Sequence, residues 1–84
     1  MTIPDVSALV LNYNRENDLI ECLHSLSDTS YAFNEIIVVD NDSKDNSVQR
    51  VRENFPDVTV LQTGKNLGYA GGMNFGLKHA LQKP

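Results

Sequence analysis

The feature that most constrains this chain is a run of four apolar β-branched residues, Ile36 to Val39, that ends abruptly in polar residues. An uninterrupted run of this kind is typical of a strand buried on both faces, as in a parallel sheet covered by helices. The residues that follow, Asp40 to Ser47, read DNDSKDNS. Because open α/β sheets bind ligands at the carboxyl ends of their strands, this polar cluster is the first candidate for a binding site.

The rest of the chain alternates between strand and helix patterns. Val6 to Leu11 and Val58 to Gln62 predict two further strands, and Thr29 to Asn34 predicts a loop before the central strand. Apolar spacing predicts three helices. Their buried positions are expected to be Leu19, Cys22, Leu23 and Leu26; then Val48, Val51 and Phe55; then Ala70, Met73, Leu77, Ala80 and Leu81. This order predicts an α/β fold, with a Rossmann-like parallel sheet of about three strands and helices packed on it.

Three polar segments follow the predicted strands and are expected to line one cleft at the same edge of the sheet. They are Asn12 to Asn14, Asp40 to Ser43, and Thr63 to Tyr69. The third leads into a helix with glycine at positions 68, 71, 72 and 76. An interior glycine costs about 1 kcal/mol relative to alanine, so the glycines need a reason. Close packing on a strand is one explanation, and packing together with contact to a bound group, such as a phosphate at the helix start, is another.

Composition excludes several classes of protein. The net charge is −4 and no run of Lys or Arg is present, so nucleic acid is not an expected partner. The single cysteine, Cys22, excludes an internal disulfide and favours a cytoplasmic location. The glycine motifs of dinucleotide sites and P-loops are missing after Asn12 and around Gly64-Lys65. We expect His24 and His79 to be solvated, and no signal peptide or membrane span at the amino terminus. Asp45 is expected either to cap the second helix or to contact a ligand.

Three segments together resemble the amino-terminal part of a family 2 glycosyltransferase of the GT-A fold, and most closely its rhamnosyltransferase-like branch. They are Val10 to Arg15 (VLNYNR), Ile36 to Ser43 with Asp45 (IIVVDNDS), and Asn66 to Gly76 (NLGYAGGMNFG). Each segment alone is weak, but their order and spacing are specific. The resemblance covers essentially all 84 residues.

The resemblance implies a nucleotide-sugar site. In such enzymes the residues matching Asn12 and Tyr13 contact the base, those matching Asp40 and Asn41 contact base and ribose, and the glycine-rich segment borders the nucleotide. The implied substrate-binding set is Asn12, Tyr13, Asn14, Asp40, Asn41, Ser43, Asn66, Gly68 and Gly71. The family often has Asp where this chain has Asn41, which can donate a hydrogen bond where Asp only accepts. The identity of the base is therefore open.

The resemblance also implies what the chain lacks. Asp40-Asn41-Asp42 spells the Asp-x-Asp of the family's metal site, but by position it belongs to the nucleoside pocket. The family's metal ligands, catalytic base and acceptor part would all lie beyond Pro84. The parent enzyme is expected to use a divalent metal, Mg or Mn. We expect residues 1–84 to be a single partial domain that holds no catalytic residue or metal ligand, binds no metal and is inactive alone.

The parent is expected to transfer a sugar from a UDP- or dTDP-sugar to a saccharide or lipid-linked acceptor in cell-surface polysaccharide synthesis, in the cytoplasm or attached to a membrane. A non-catalytic nucleotide-binding α/β module is the alternative. A flavodoxin-like signalling domain would need about five strands, which a chain of this length does not readily provide. An open sheet edge and a bare surface in such a half-fold favour a homo-oligomer.

Overall fold

Three parallel strands and three helices alternate along the chain in the computed structural model, which describes residues 7–28 and 35–81. The elements are β1 (Ser7–Asn12), α1 (Glu16–Asp28), β2 (Glu35–Asp40), α2 (Ser47–Asn54), β3 (Thr59–Gln62) and α3 (Gly68–Leu81). They confirm the predicted α/β class and the order of its elements. Val6, the loop from Thr29 to Asn34, and Pro84 lie outside the described residues.

The sheet has the order β1-β2-β3, with β2 in the centre. The parallel register places Asn12 beside Asp40 and Asp40 beside Gln62, in one row at the carboxyl ends of the strands. Two backbone hydrogen bonds continue the ladders past this row. Asn41 N–H donates to the Asn12 carbonyl (2.9 Å) and Thr63 N–H donates to the Asp40 carbonyl (3.0 Å). The tips of all three strands are therefore fixed to one another.

One face of the sheet packs against α1 and α2. The buried side chains there are Leu19, Ile20, Leu23, Val38 and Val51. Around the helix, Ile20 and Cys22 lie on opposite sides of Leu23. The buried apolar stripe of α1 includes Ile20 and not Cys22. Cys22 is exposed, so its prediction as a core residue was wrong.

The other face of the sheet packs against α3, and glycines make the contact. Gly72 and Gly76 are buried, whereas the predicted contact residues Leu77 and Leu81 are 47% and 81% exposed. A Cβ at position 76 would lie 2.6 Å from both Leu9 Cδ1 and Val39 Cγ2.

Ala70 is exposed as well, and of the predicted face only Met73 and Ala80 are half-buried. The predicted packing face of α3 was therefore largely wrong. The prediction that glycines bring this helix close to a strand is confirmed.

The two histidines differ. His24 is exposed and sets its ring edge-on to Phe55 at 5.0 Å. His79 is half-buried, with Nε2 3.6 Å from Glu35 Oε2, so its prediction as a solvated side chain was wrong. None of the described helices is both long enough and apolar enough to cross a bilayer.

Candidate functional site at the carboxyl edge of the sheet

The tips of β1 and β2 are joined by a buried polar cluster of Asn12, Asp40 and Ser43. Asn12 Nδ2 donates to Asp40 Oδ1 (2.9 Å) and approaches Ser43 Oγ (3.1 Å). Ser43 donates to Asp40 twice, from its hydroxyl to Oδ1 (2.7 Å) and from its backbone N–H to Oδ2 (3.0 Å). Asp40 is 1% exposed, and these donors compensate the cost of burying a carboxylate. The cluster gives the turn after β2 one defined shape.

The loop after β1 is bonded to the loop after β2 next to that cluster. Asn14 N–H donates to Ser43 Oγ (2.8 Å), and Lys44 N–H donates to Asn14 Oδ1 (2.6 Å). Asn14 adopts a left-handed backbone (φ 53°), which asparagine tolerates better than most residues. Tyr13, just before it, is 46% exposed and lines an open depression together with the start of α1. Its ring is available for contact with a ligand.

Asp45 connects the first turns of α1 and α2. One carboxylate oxygen accepts from Glu16 N–H (3.2 Å) at the start of α1, and the other accepts from Ser47 N–H (3.0 Å) at the start of α2. The residue at the N-cap position of α2 is Asn46, which makes no side-chain capping bond. Asp45 therefore caps α2 as predicted, although it lies one residue before the N-cap position. It also accepts a hydrogen bond from the first residue of α1.

The environment of Asp45 favours its charged form. Desolvation raises the pKa of this carboxyl, but hydrogen bonds from the Ser47 hydroxyl, the Ser47 N–H and the Glu16 N–H outweigh it, so the pKa lies below its usual value. Glu16 returns the contact, because its side chain accepts from Asn46 N–H (3.2 Å) and pairs with Arg50 (3.0 Å). The two helix starts are thus held together by reciprocal bonds.

The third tip is attached to β2 through Asn41, which is 2% exposed. Asn41 Nδ2 donates to the Gly68 carbonyl (3.0 Å), and Asn41 Oδ1 accepts from Leu67 N–H (3.3 Å). Asn66 fixes the same turn from the other side, since its Oδ1 accepts from Gly68 N–H (2.9 Å). Gly68 has φ +72°, a left-handed conformation that suits glycine. Two asparagine side chains therefore define how α3 begins.

Gly71 lies in the first turn of α3. A Cβ at this position would lie 2.8 Å from Leu67 Cβ. Glycine is therefore favoured here by close packing within the turn itself.

Asp40 and Asp42 do not fit a metal site. The oxygens of Asp40 accept from Asn12 and Ser43, and Asp42 pairs with Lys44 Nζ at 3.1 Å. Within residues 7–28 and 35–81, no group of three or more His, Cys, Asp or Glu side chains is placed to hold a metal ion.

Each predicted site residue lies at this edge of the sheet, in two groups. Asn12, Tyr13, Asn14, Asp40 and Ser43 belong to the joined loops after β1 and β2; Asn41, Asn66, Gly68 and Gly71 belong to the junction with α3. The sequence did not single out Glu16, and it predicted Thr63 only as the first residue of the third polar segment. Thr63 Oγ approaches the Asp40 carbonyl at 3.2 Å, a contact across strands that no local pattern signals.

A parallel sheet with polar loops gathered at its carboxyl edge is an α/β architecture of the Rossmann-like class, consistent with the amino-terminal part of a GT-A domain. The family model for glycosyl transferase family 2 matches residues 7–83. This chain belongs to that family.

Curated relatives agree with this assignment. The chain is 31% identical over 81 residues to the low-salt glycan biosynthesis hexosyltransferase Agl10 of Haloferax volcanii, an alignment that covers 96% of this chain and 24% of the relative. It is 37% identical over 57 residues to the SPbeta prophage-derived glycosyltransferase SunS of Bacillus subtilis, which covers 68% of this chain and 13% of the relative. The chain thus spans a quarter or less of the length of these relatives.

Proposed function

We propose that this chain forms the nucleotide-sugar-binding part of a glycosyltransferase. The observation that carries the proposal is the joining of the three strand tips at one edge of the sheet in a family 2 chain. In the full-length protein this part would hold a UDP- or dTDP-sugar while the sugar is transferred to a saccharide or lipid-linked acceptor. The names of the relatives support transfer of a sugar, since one is a hexosyltransferase of glycan biosynthesis and the other a glycosyltransferase.

The finer features of the full-length protein follow from the same resemblance. We propose the rhamnosyltransferase-like branch, a role in cell-surface polysaccharide synthesis, and action in the cytoplasm or at a membrane. A divalent Mg or Mn ion would serve the full-length enzyme through ligands outside the described residues. Residues 1–84 are proposed to be a partial domain that is inactive alone and able to associate through its sheet edge.

The proposed site uses its residues in two ways. Tyr13 is exposed enough to stack on a base, and the Asn66 to Gly71 segment is proposed to bring backbone N–H groups near the phosphates. Asn12, Asp40 and Ser43 are proposed to form the floor between them. Asn12 and Asp40 are almost fully buried, so their main contribution is to hold the half-buried Ser43 and its turn in place. Asn14 flanks this floor on one side, and Asn41 ties it to the start of α3 on the other.

A residue-resolved titration tests the proposal. Isotope-labelled protein is titrated with UDP and with dTDP, and with ATP and NAD as controls, while amide NMR shifts are followed. We expect a pyrimidine nucleotide to shift amides in 12–14, 40–43 and 66–72 and to leave the amino-terminal ends of the strands unchanged. Failure of both pyrimidine nucleotides to shift these amides at millimolar concentration, or equal shifts with ATP, would refute a pyrimidine-nucleotide site in this chain.

Two matched aromatic variants sharpen the test. Tyr13→Ala removes the proposed stacking partner, and base–aromatic stacking is worth about 1–3 kcal/mol, so we expect nucleotide affinity to fall about 5- to 150-fold. Phe75→Ala is the control, because Phe75 is similarly exposed (40% against 46%) but lies in the second turn of α3, on an apolar surface with Leu77 and Leu81. Equal affinities for the two variants would remove Tyr13 from the site.

A further inference from the structure

We infer that Asn41 is a positioning residue, which holds the glycine-rich start of α3 in place without itself touching the nucleotide. The contacts of Asn41 stand independently of any ligand. The inference rests on the proposed function only for what the segment then does, which is to border the phosphates of the nucleotide.

The backbone of Asn41 is fixed on both sides. Its own N–H donates to the Asn12 carbonyl of β1 (2.9 Å). The carbonyl before it, that of Asp40, accepts from Thr63 N–H beyond β3 (3.0 Å). Asn41 is therefore held by both neighbouring strands, and its side chain starts from a rigid point.

The side chain of Asn41 is already engaged by protein groups. Nδ2 donates to the Gly68 carbonyl, and Oδ1 lies 3.3 Å from Leu67 N and 3.2 Å from Thr63 Oγ. The Thr63 hydroxyl has one hydrogen, and its shortest contact is the Lys65 carbonyl at 2.6 Å, so Leu67 N–H is the steadier donor to Asn41. With 2% of the residue exposed, little of this amide is available to a ligand.

The contact with Gly68 requires a donor. Asparagine supplies one from Nδ2, whereas an aspartate in the same position would set a carboxylate oxygen against the Gly68 carbonyl oxygen. Two acceptors facing each other in a buried place repel, and neither is satisfied. An asparagine at position 41 is therefore matched to the way this chain begins α3.

Gly72 gives Asn41 the space it needs. A Cβ at position 72 would lie 2.9 Å from Asn41 Nδ2 and 2.5 Å from Leu11 Cδ1. Asn41 thus meets α3 twice, by a hydrogen bond at Gly68 and by close packing at Gly72. These two contacts fix both the distance and the direction of the first turn of the helix.

A positioning role makes a different prediction from a contact with base or ribose. If Asn41 acts through the start of α3, its loss should weaken binding of UDP, which carries phosphates, and leave binding of uridine unchanged. If Asn41 touches the nucleoside, both ligands should lose affinity equally. Comparing UDP with uridine therefore separates the two roles.

The experiment uses Asn41→Asp, which keeps the size and removes only the donor, and Asn41→Ala, which removes both the donor and the acceptor without adding charge. We expect both variants to bind UDP about tenfold more weakly, as loss of one hydrogen bond of about 1.4 kcal/mol would give, with uridine affinity unchanged. In free Asn41→Ala, which has lost both the donor to the Gly68 carbonyl and the acceptor of Leu67 N–H, amide exchange at Leu67 and Gly68 should accelerate by a similar factor, because the turn is no longer tied to β2. Dispersed strand amides in the same spectra show that each variant is folded.

Asn74→Asp is the matched control, because it makes the same chemical change at an exposed position of α3. It should leave exchange at Leu67 and Gly68, and both affinities, as in the wild type. Exchange at Leu67 and Gly68 that is equally slow in Asn41→Ala and in the control overturns the inference whatever the nucleotide does. Equal loss of uridine and UDP affinity overturns it in favour of direct contact. If the wild type does not bind UDP but exchange is faster in Asn41→Ala, the proposed function is overturned and the positioning of the segment by Asn41 stays supported.

Discussion

Replacing Gly76 with alanine would insert a methyl group where α3 lies directly on the sheet. The new Cβ would lie 2.6 Å from Leu9 Cδ1 and 2.6 Å from Val39 Cγ2. The methyl of Leu9 is the end of a flexible side chain and can turn away. Val39 is fully buried and β-branched, so its side chain has little freedom to move, and the helix itself must shift.

The expected cost follows from two opposing effects. Alanine is favoured over glycine inside a helix by about 1 kcal/mol. Overpacking a well-packed core costs about 1–3 kcal/mol, and the stiff contact with Val39 places this site in the upper part of that range. We therefore expect Gly76→Ala to lower the free energy of unfolding by about 1–2 kcal/mol.

Thermal unfolding followed by far-UV circular dichroism measures this cost. In a domain of this size 1 kcal/mol corresponds to about 4–8 °C, so the midpoint should fall by about 4–16 °C. Asn74→Ala is the control, because Asn74 is exposed on the same helix and its replacement changes helix propensity alone. The control should unfold at or slightly above the wild-type temperature. A Gly76→Ala protein as stable as the control would refute the close packing of α3 on the sheet.

Two further predictions concern the loops after β1 and β2. Because hydrogen bonds from Ser47 and Glu16 lower the pKa of Asp45, its charged form stabilises the protein above the unfolded pKa of about 4, and this contribution is lost as pH falls through the lower folded value. Melting curves should show wild type more stable than Asp45→Asn at pH 7 and the gap narrowing towards pH 3; a constant gap would contradict the pKa assignment. Ser43→Ala removes a partner of the buried Asp40 carboxylate, so the free energy of unfolding should fall by about 1–3 kcal/mol in urea titrations. A change below about 0.5 kcal/mol, typical of an ordinary surface site, would show that water replaces the serine.

The sequence predicted the fold where the residue pattern is local. Four β-branched residues in a row identified β2, and helical spacing identified α1 and α2, because burial of these elements depends on their own side chains. Leu77 and Leu81 misled the prediction for α3. Apolar spacing assumes that the larger side chains face the core, but here the helix axis approaches so closely that glycine is favoured at the contact.

The candidate site was predicted in position but not in its bonding. The rule that strand tips share an edge was enough to group Asn12, Asp40 and Asn66. Asp45 can accept hydrogen bonds from two helices only because α1 packs beside α2. Its contact with Glu16 joins residues that are 29 positions apart in the sequence. Bonds over such separations follow from the tertiary arrangement, which no window of the sequence contains.

The reciprocal bonding between the loops after β1 and β2 has a consequence for engineering. Asn14 bonds to Ser43 and Lys44, and Glu16 bonds to Asp45 and Asn46, so each loop supplies the partners of the other. A loop transplanted alone from another protein would arrive without its complement and leave several polar groups unpaired. The loops after β1 and β2 therefore form one structural unit. A redesign of this edge of the sheet would have to transplant the two loops together.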